Sequence, residues 1–290
     1  MTGGIVLIDK QPDWTSHDVV AKLRRLLSER RIGHAGTLDP MATGLLTIFV
    51  GRATRAVEFA EAQEKTYIAR LRLGVTTDTQ DSTGRVLRVC EARVSQAALE
   101  AVLPQFSGEI LQVPPMYSAI KVDGQRLYKL ARQGVEVERK ARPVTIYRLV
   151  VLGEVDGEFD LEIVCSKGTY IRTLCHDIGQ ALGCGGVMSA LRRTQVGAFS
   201  VADAYGIAEV EAAEDRPELL MSLDTLFAEY PAVTVDAVRE RGIRNGQTVR
   251  LEAGTAGFVR VYSQSGEFLA LSEVTREQVL RTVKSFFEPK

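Results

Sequence analysis

Residues 33–46 read GHAGTLDPMATGLL and run into the apolar stretch Leu45–Val50. Three glycines and a proline interrupt these residues, which predicts an irregular loop at the entrance of a buried strand. Asp39 precedes Pro40, and a following proline biases a residue toward extended backbone angles. A carboxylate is thereby held where a ligand can approach the glycines closely. On these residues alone, a turn in which the Asp39 side chain bonds a backbone amide is the simpler interpretation.

Strand-like and helix-like segments alternate irregularly along the rest of the chain. The amphipathic run Ser16–Ser28 predicts a helix with Ser16 as its N-cap. A second helix is predicted over Ser95–Leu103, with Ser95 as its cap. Long insertions separate these elements, which favours an α+β (mixed α/β) fold over a regular doubly wound one. Apolar runs predict strands at Ile5–Ile8, Leu45–Val50, Thr66–Leu73 and Leu161–Cys165.

Two changes in composition divide the chain. Val113–Pro143 is rich in proline, glycine and basic residues, which predicts a long excursion from the core. Loops of this length are uncommon unless they are functional or are disordered when unbound. After Glu229, three short runs alternate apolar and polar residues between glycines. We therefore expect a large domain over residues 1–229 and a small β-rich domain over 230–290. The three runs are Val249–Leu251, Gly257–Tyr262 and Phe268–Val274.

The net charge of −1 hides a polarised distribution. Residues 202–229 contain eight acidic side chains and one basic one, whereas residues 121–148 contain eight basic and three acidic ones. A basic segment suits a nucleic-acid backbone, although a solvated face is the commoner explanation of such a run. The N-terminus lacks the pattern of a signal peptide and no run approaches a membrane span, so we expect a cytoplasmic protein.

The four cysteines show neither zinc-site spacing nor a dense disulfide pattern. We expect reduced, mostly buried thiols and no metal site.

The string around Asp39 resembles, almost letter for letter, the catalytic loop of the TruB family of pseudouridine synthases. The resemblance covers about residues 5–200, and the segment 13–16 departs from the usual Gly-x-Ser-Ser. It implies a pseudouridine-synthase fold with a central mixed, largely antiparallel sheet flanked by helices. A weaker resemblance of the C-terminal part implies a small PUA-like β-barrel. Further matching segments are DKQP at 9–12, KTY at 65–67, TDTQD at 77–81, PMYSA at 115–119, LY at 127–128, ARQG at 131–134, CSKGTYIRTL at 165–174 and LRR at 191–193.

The resemblance implies isomerisation of uridine to pseudouridine at position 55, in the T-loop of tRNA. The base is flipped out of the loop, its N1–C1′ bond is broken, and the uracil is rejoined through C5, which requires no cofactor or metal. Asp39 matches the family's catalytic aspartate and must be ionised. Whether it attacks C1′, attacks the base or deprotonates C2′ stays open. Arg172 matches the family's arginine and is its expected partner, since a nearby cation favours the ionised carboxylate.

The resemblance also assigns substrate contacts. Tyr67 matches the active-site tyrosine that stacks on the uracil, and it is expected to take a catalytic part by helping in the proton transfer. Tyr170 and Leu191 match a hydrogen-bonding phenol and an apolar wall of the pocket. His34 is expected to fill the stack that the flipped base vacates. A rival hypothesis makes His34 a general base paired with Asp39.

Three further assignments concern support and RNA contacts. Lys10 matches a residue of the family's N-terminal segment that supports the catalytic loop. Asp81 matches an acid of the family that is expected to orient the RNA or the loop. The insertion at about 113–143 matches the family's thumb, which closes over the T-stem-loop and is expected to be mobile without RNA.

The resemblance predicts a monomer that needs no protein partner, and three alternatives stay open. Guide-RNA-dependent relatives of the dyskerin type work inside a ribonucleoprotein, but they lack an insertion of this size. A non-catalytic RNA chaperone would use the same surface. A glycosidase built on Asp39 would need a second carboxylate, and no acid in the sequence has convincing context for that role.

Overall fold

The computed structural model describes residues 3–91, 93–118, 120–122, 124–252, 254 and 256–287. Ala119, the last residue of the PMYSA segment, and Asp123, one acid of the basic stretch, lie outside the described residues. Parts of the predicted C-terminal domain, residues 253, 255 and 288–290, lie outside them as well.

Most of the chain before residue 230 builds one large sheet with helices around it. Its strands, with two small hairpins, are β1 (Gly4–Lys10), β2 (Ile32–Ala35), β3 (Thr43–Val50), β4 (Lys65–Leu73), β5 (Val75–Thr77), β6 (Val86–Val89), β7 (Gly108–Gln112), β8 (Lys121–Val122), β9 (Gln125–Arg126), β10 (Arg142–Val155), β11 (Glu158–Cys165), β12 (Gly186–Val196) and β13 (Phe199–Ser200). The helices are α1 (Ser16–Leu26), α2 (Val57–Ala62), α3 (Gln96–Val102), α4 (Leu127–Arg132), α5 (Ile171–Ala181) and α6 (Ile207–Ala212). Short 3₁₀ helices occupy Gly51–Ala56, Leu103–Phe106, Val201–Asp203, Arg216–Leu219 and Leu223–Phe227.

The large sheet has nine strands in the order β1-β3-β12-β4-β11-β10-β7, with β2 added to β3 and β13 to β12. Every pairing in it is antiparallel except that of β3 with β12, so the predicted mixed, largely antiparallel sheet is confirmed. Apolar residues of α1, α3, α5 and α6 cover one face in a single buried cluster. The opposite face is covered by residues from α2, from the 3₁₀ segments and from the C-terminal part of the chain.

The first helix begins at Ser16, the residue predicted as its cap, so its cap lies one residue earlier. Thr15, not Ser16, is the N-cap of α1, and it forms a capping box with Asp18. Ser16 is buried instead, and its hydroxyl bonds the backbone of Leu38. The prediction of Ser16 as cap was therefore wrong, because a tertiary contact takes the Ser16 hydroxyl. The Ser95 cap of α3 is confirmed by its hydrogen bond from the Ala98 amide.

The insertion at about 113–143 contains regular structure. It holds the hairpin β8–β9 and the helix α4, whose first residue Leu127 is buried. Arg142 at the start of β10 pairs with Gln112 at the end of β7, so both ends of the insertion leave the sheet at one point.

The C-terminal part forms a second, five-stranded sheet. Its order is β14-β16-β17-β18-β15, and only the β14–β16 pairing is parallel. Phe268 of this sheet and Phe286, which follows its last strand, contact Phe227 of the preceding chain. The elements are β14 (Ala232–Thr234), α7 (Ala237–Arg244), β15 (Val249–Arg250), β16 (Gly257–Tyr262), β17 (Phe268–Val274) and β18 (Val279–Ser285).

The four cysteines are free thiols, three of them buried, as the sequence predicts. Among the described helices, none has the length and apolar character needed to cross a membrane.

Candidate active site

The loop between β2 and β3 carries Asp39 at the edge of the parallel β3–β12 pair. Asp39 begins a turn in which its carbonyl oxygen accepts from the Ala42 amide at 3.0 Å, with Pro40 at the position that suits its fixed φ. Gly44 closes the loop with φ +95°, opposite Arg193. A Cβ at Gly44 would lie 2.3 Å from the Arg193 carbonyl oxygen, so only glycine fits this approach of the two strands.

Two buried side chains from the N-terminal segment hold this loop. The Ser16 hydroxyl accepts from the Leu38 amide at 2.9 Å and donates to the Leu38 carbonyl at 3.1 Å. The Lys10 ammonium donates to the Pro40 carbonyl at 3.1 Å and to the Trp14 carbonyl at 2.7 Å. Burial lowers the pKa of Lys10, while Asp13 and Asp39 oppose that shift. The backbone on both sides of Asp39 is thereby tied to the fold.

Arg193 is a third anchor, which lies in the matching segment LRR at 191–193 but was not among the predicted site residues. Its side chain is buried, and its guanidinium donates to the Leu45 carbonyl at 2.7 Å and to the Gly36 carbonyl at 2.9 Å. It therefore spans the loop from its first turn to the strand that follows. The only sequence signal was the position of an arginine within that short segment.

The Asp39 carboxylate pairs with Arg172, the second residue of α5. Nη2 of Arg172 lies 3.0 Å from Oδ1 and 2.8 Å from Oδ2 of Asp39. Nη1 of the same guanidinium lies 3.7 Å from Oδ2 of Asp81. The side chain of Asp39 is 34% exposed, whereas those of Arg172 and Asp81 are 8% and 6% exposed. Solvent, and hence a substrate, can reach only the first of the two carboxylates readily.

Asp81 is held on its far side by hydroxyl and amide donors. Its Oδ1 accepts from the Thr79 hydroxyl at 2.7 Å, and from the Thr83 hydroxyl and amide at 2.6 and 3.0 Å. These bonds satisfy the oxygen that does not face Arg172, so Asp81 fixes the guanidinium in place.

Burial raises the pKa of Asp39 above its ordinary value, and the Arg172 charge opposes this effect. The Asp81 carboxylate raises the pKa further and Lys10 lowers it. The resemblance implied that a nearby cation favours the ionised form of Asp39. Arg172 does so, but desolvation is the larger effect.

Tyr67 and Leu191 lie side by side on the central strands. Tyr67 on β4 pairs with Arg193 on β12, and Leu191 pairs with Ala69 on the same two strands. Both residues are buried. Burial raises the pKa of the Tyr67 phenol, and the Arg193 charge opposes this, so the phenol is protonated at neutral pH.

His34 lies on β2, opposite Ile48 of β3. Its Nδ1 is buried without a hydrogen-bond partner among the described residues. Burial, followed by the Arg193 charge, lowers the pKa of His34, so the ring is neutral at pH 7. Within the described part of the chain no hydrogen bond joins His34 to Asp39, and the hypothesis of a His34–Asp39 pair gains no support.

Tyr170 is the N-cap residue of α5, two positions before Arg172. Its phenol has no hydrogen bond to Asp39, Tyr67 or Arg172 within the described residues. Nor do the described residues contain a cluster of three or more histidine, cysteine, aspartate or glutamate side chains placed to hold a metal ion. The structure thus brings Asp39, Arg172, Asp81 and Lys10 into one charged group, with Tyr67, Leu191 and His34 on the adjoining strands.

Comparison with known families agrees with this arrangement. The model of the TruB family pseudouridylate synthase N-terminal domain matches residues 24–171. The tRNA pseudouridylate synthase B C-terminal domain matches residues 172–227, and the pseudouridine synthase II TruB C-terminal model matches residues 231–282.

Curated relatives match along most of their length. The tRNA pseudouridine synthase B of Aromatoleum aromaticum is 43% identical over 93% of this chain and 88% of its own. The enzyme of the same name from Syntrophotalea carbinolica is 45% identical over 88% and 85%. That of Pseudomonas fluorescens strain Pf-5 is 44% identical over 94% and 92%.

Two solved structures share the fold. A chain of a Cbf5-Nop10-Gar1 complex is 26% identical with a TM-score of 0.75, over 99% of this chain and 85% of its own. A chain of an H/ACA RNP bound to a substrate RNA containing 2′-deoxyuridine is 22% identical with a TM-score of 0.73, over 99% and 86%. The family models, the identities and the fold agree: the chain belongs to the TruB family of pseudouridylate synthases, which isomerise uridine in RNA.

Proposed function

We propose that this protein converts the uridine at position 55 in the T-loop of tRNA to pseudouridine, with Asp39 as the nucleophile or base. The observation that carries the proposal is the Asp39–Arg172 pair, in which an accessible carboxylate is fixed by a buried guanidinium. Three buried side chains hold the loop on which Asp39 lies. Attack on C1′, attack on the base and deprotonation of C2′ all require the ionised carboxylate, which Arg172 favours.

The target base must leave its stack to reach Asp39, since enzymes that act on a base extrude it at a cost of a few kcal/mol. In this proposal the neutral imidazole of His34 offsets that cost by filling the vacated stack. Tyr67 stacks on the uracil, and Tyr170 and Leu191 complete the pocket with a phenol and an apolar wall. The isomerisation conserves every atom of the uridine, so we propose no cofactor and no metal.

The basic insertion is proposed to close over the T-stem-loop as a thumb. Its lysines and arginines suit phosphate contacts, which position an RNA without reading its sequence. The shape of the loop and the pocket for the flipped base would then supply selectivity. We propose a catalytic domain over 1–229 and a PUA-like RNA-binding domain over 230–290, working as a cytoplasmic monomer without a protein partner.

The test uses unmodified tRNA transcript, the wild-type protein, Asp39→Asn and the exposed control Asp203→Asn. We expect T-loop pseudouridine from the wild type and the control, and none from Asp39→Asn although RNA binding is retained. Asparagine keeps the size of the side chain but cannot act as nucleophile or base. Equal product from Asp39→Asn would overturn the role of Asp39.

Two other outcomes would favour the rival functions. Refolding of tRNA without product from either protein would favour an RNA chaperone. Product that appears only after a guide RNA is added would favour the guided type.

A further inference from the structure

A buried glutamine links the base of the insertion to the helix that carries Arg172. Gln112 is the last residue of β7 and is 2% exposed. Its Oε1 accepts from the Tyr170 amide at 2.8 Å, and its Nε2 donates to the Tyr170 carbonyl oxygen at 3.0 Å. The side-chain amide therefore pairs with the Tyr170 backbone as a residue of a neighbouring strand would.

The two hydrogen bonds between Gln112 and Tyr170 lie at the N-terminus of α5. Tyr170 is the N-cap of α5, and no side chain of the helix caps it. In a capping box, a glutamate or glutamine of the first turn bonds the N-cap amide. In α5 that bond comes from Gln112, 58 residues earlier in the chain. The Tyr170 carbonyl also accepts from the Leu174 amide at 3.0 Å, so both of its lone pairs are used.

We propose that Gln112 is a positioning residue that fixes the N-terminus of α5, and with it Arg172 at Asp39, from the base of the RNA-binding insertion. Gln112 pairs with Arg142 at the point where both ends of the insertion leave the sheet. Gln112 therefore joins the base of the insertion to the backbone beside Arg172. This inference rests on the proposed roles of Asp39 and Arg172.

Gln112→Glu tests the hydrogen-bond pattern with almost no change of shape. A protonated carboxyl donates and accepts as the amide does, whereas an ionised one faces the Tyr170 carbonyl with no donor. Burial raises the pKa of a carboxyl, so the variant should titrate between about pH 6 and about pH 9. Gln105→Glu, at an exposed glutamine, is the matched control.

Single-turnover rates on tRNA are measured relative to the wild type at each pH. For Gln112→Glu we expect a ratio near one at about pH 6 and a fall of about 10-fold or more at about pH 9, because small displacements of a catalytic group cost large factors in rate. Gln112→Met should be slow throughout, with RNA affinity unchanged in both variants. Ratios that match Gln105→Glu at every pH would overturn the proposal.

Hydrogen exchange separates this inference from the proposed function. In Gln112→Met the Tyr170 amide loses its acceptor, so we expect faster exchange there than in the wild type. Unchanged exchange would overturn the inference whatever the activity. Absence of T-loop product from the wild type would instead overturn the proposed function. Faster exchange in Gln112→Met would still support the inference that Gln112 fixes the N-terminus of α5.

Discussion

At the centre of the site, the guanidinium of Arg172 contacts two carboxylates that differ in their exposure to solvent. Arg172 contacts Asp39, which solvent reaches, and Asp81, which is buried. The two carboxylates act on each other as well, because Asp81 raises the pKa of Asp39 while Arg172 lowers it. If the reaction needs ionised Asp39, the opposite effects of Asp81 and Arg172 on its pKa should be visible in the acid limb of the pH–rate profile.

We predict that Arg172→Gln and Asp81→Asn shift that limb in opposite directions. If the reaction needs ionised Asp39, its rate falls as the pH drops through the pKa of Asp39, which burial places above the ordinary value. Loss of the Arg172 charge raises this pKa and moves the limb to higher pH. Loss of the Asp81 charge lowers the pKa and moves the limb to lower pH. Single-turnover rates across the acid range check both, and shifts in the same direction would contradict the assignment of Asp39.

Buried cations around the loop were the residues least visible in the sequence. Arg193 is buried and donates to the carbonyl groups of Gly36 and Leu45, and Lys65 is buried and donates to that of Glu61 in α2. Burial lowers the pKa of Lys65 to about 8. In a sequence such residues look like surface charges, because lysine and arginine are mostly exposed unless paired. Only the path of the loop shows which carbonyl groups need a donor.

At the scale of elements, the amphipathic pattern predicted α1 but not the roles of its first two hydroxyl residues. Thr15 and Ser16 are both good N-cap types and are adjacent in sequence. In the structure, Thr15 caps the helix and Ser16 holds the loop that carries Asp39. The pattern could not separate them, since the second role depends on where residue 38 lies.

This division predicts different effects for two neighbouring substitutions. Thr15→Ala should lower the free energy of unfolding by about 1 kcal/mol through loss of the cap, with little change in rate. Ser16→Ala should lower the single-turnover rate, because the Leu38 amide and carbonyl lose their partner one residue before Asp39. Urea unfolding and single-turnover assays of both variants check this. A rate loss confined to Thr15→Ala would contradict the division.

The two sheets of the molecule share an aromatic contact. Phe227, which precedes the C-terminal sheet, packs against Phe59 at 5.3 Å, Phe268 at 6.1 Å and Phe286 at 5.9 Å between ring centroids. Leu271 and Phe286 belong to the same buried cluster as Ile5 and Phe49 of the large sheet. The C-terminal sheet is therefore packed against the large sheet, on the face opposite α1, α3, α5 and α6.

We predict that Phe286→Ala lowers the free energy of unfolding by about 3 kcal/mol, the usual cost of removing a buried phenylalanine. Val238→Ala is the control, because Val238 is 82% exposed on α7 and should change stability by less than about 0.5 kcal/mol. Urea unfolding of the full chain checks both. Equal losses in the two variants would show that the aromatic contact does not form in solution.

Apolar periodicity and turn residues act locally, so the sequence by itself predicted the strands β1, β3, β4 and β11 and the helices α1 and α3. The family and its largely antiparallel sheet followed from the resemblance of the string around Asp39. The resemblance also singled out Asp39, since the string around it is specific. The resemblance named Arg172, 133 residues away, as the partner of Asp39, and the structure places the two side chains in contact. The tertiary structure alone decided that Ser16 and Arg193 hold the loop of Asp39 and that Gln112 bonds the backbone of Tyr170. These contacts join segments distant in sequence, and burial gives them their strength, so no local pattern contains them.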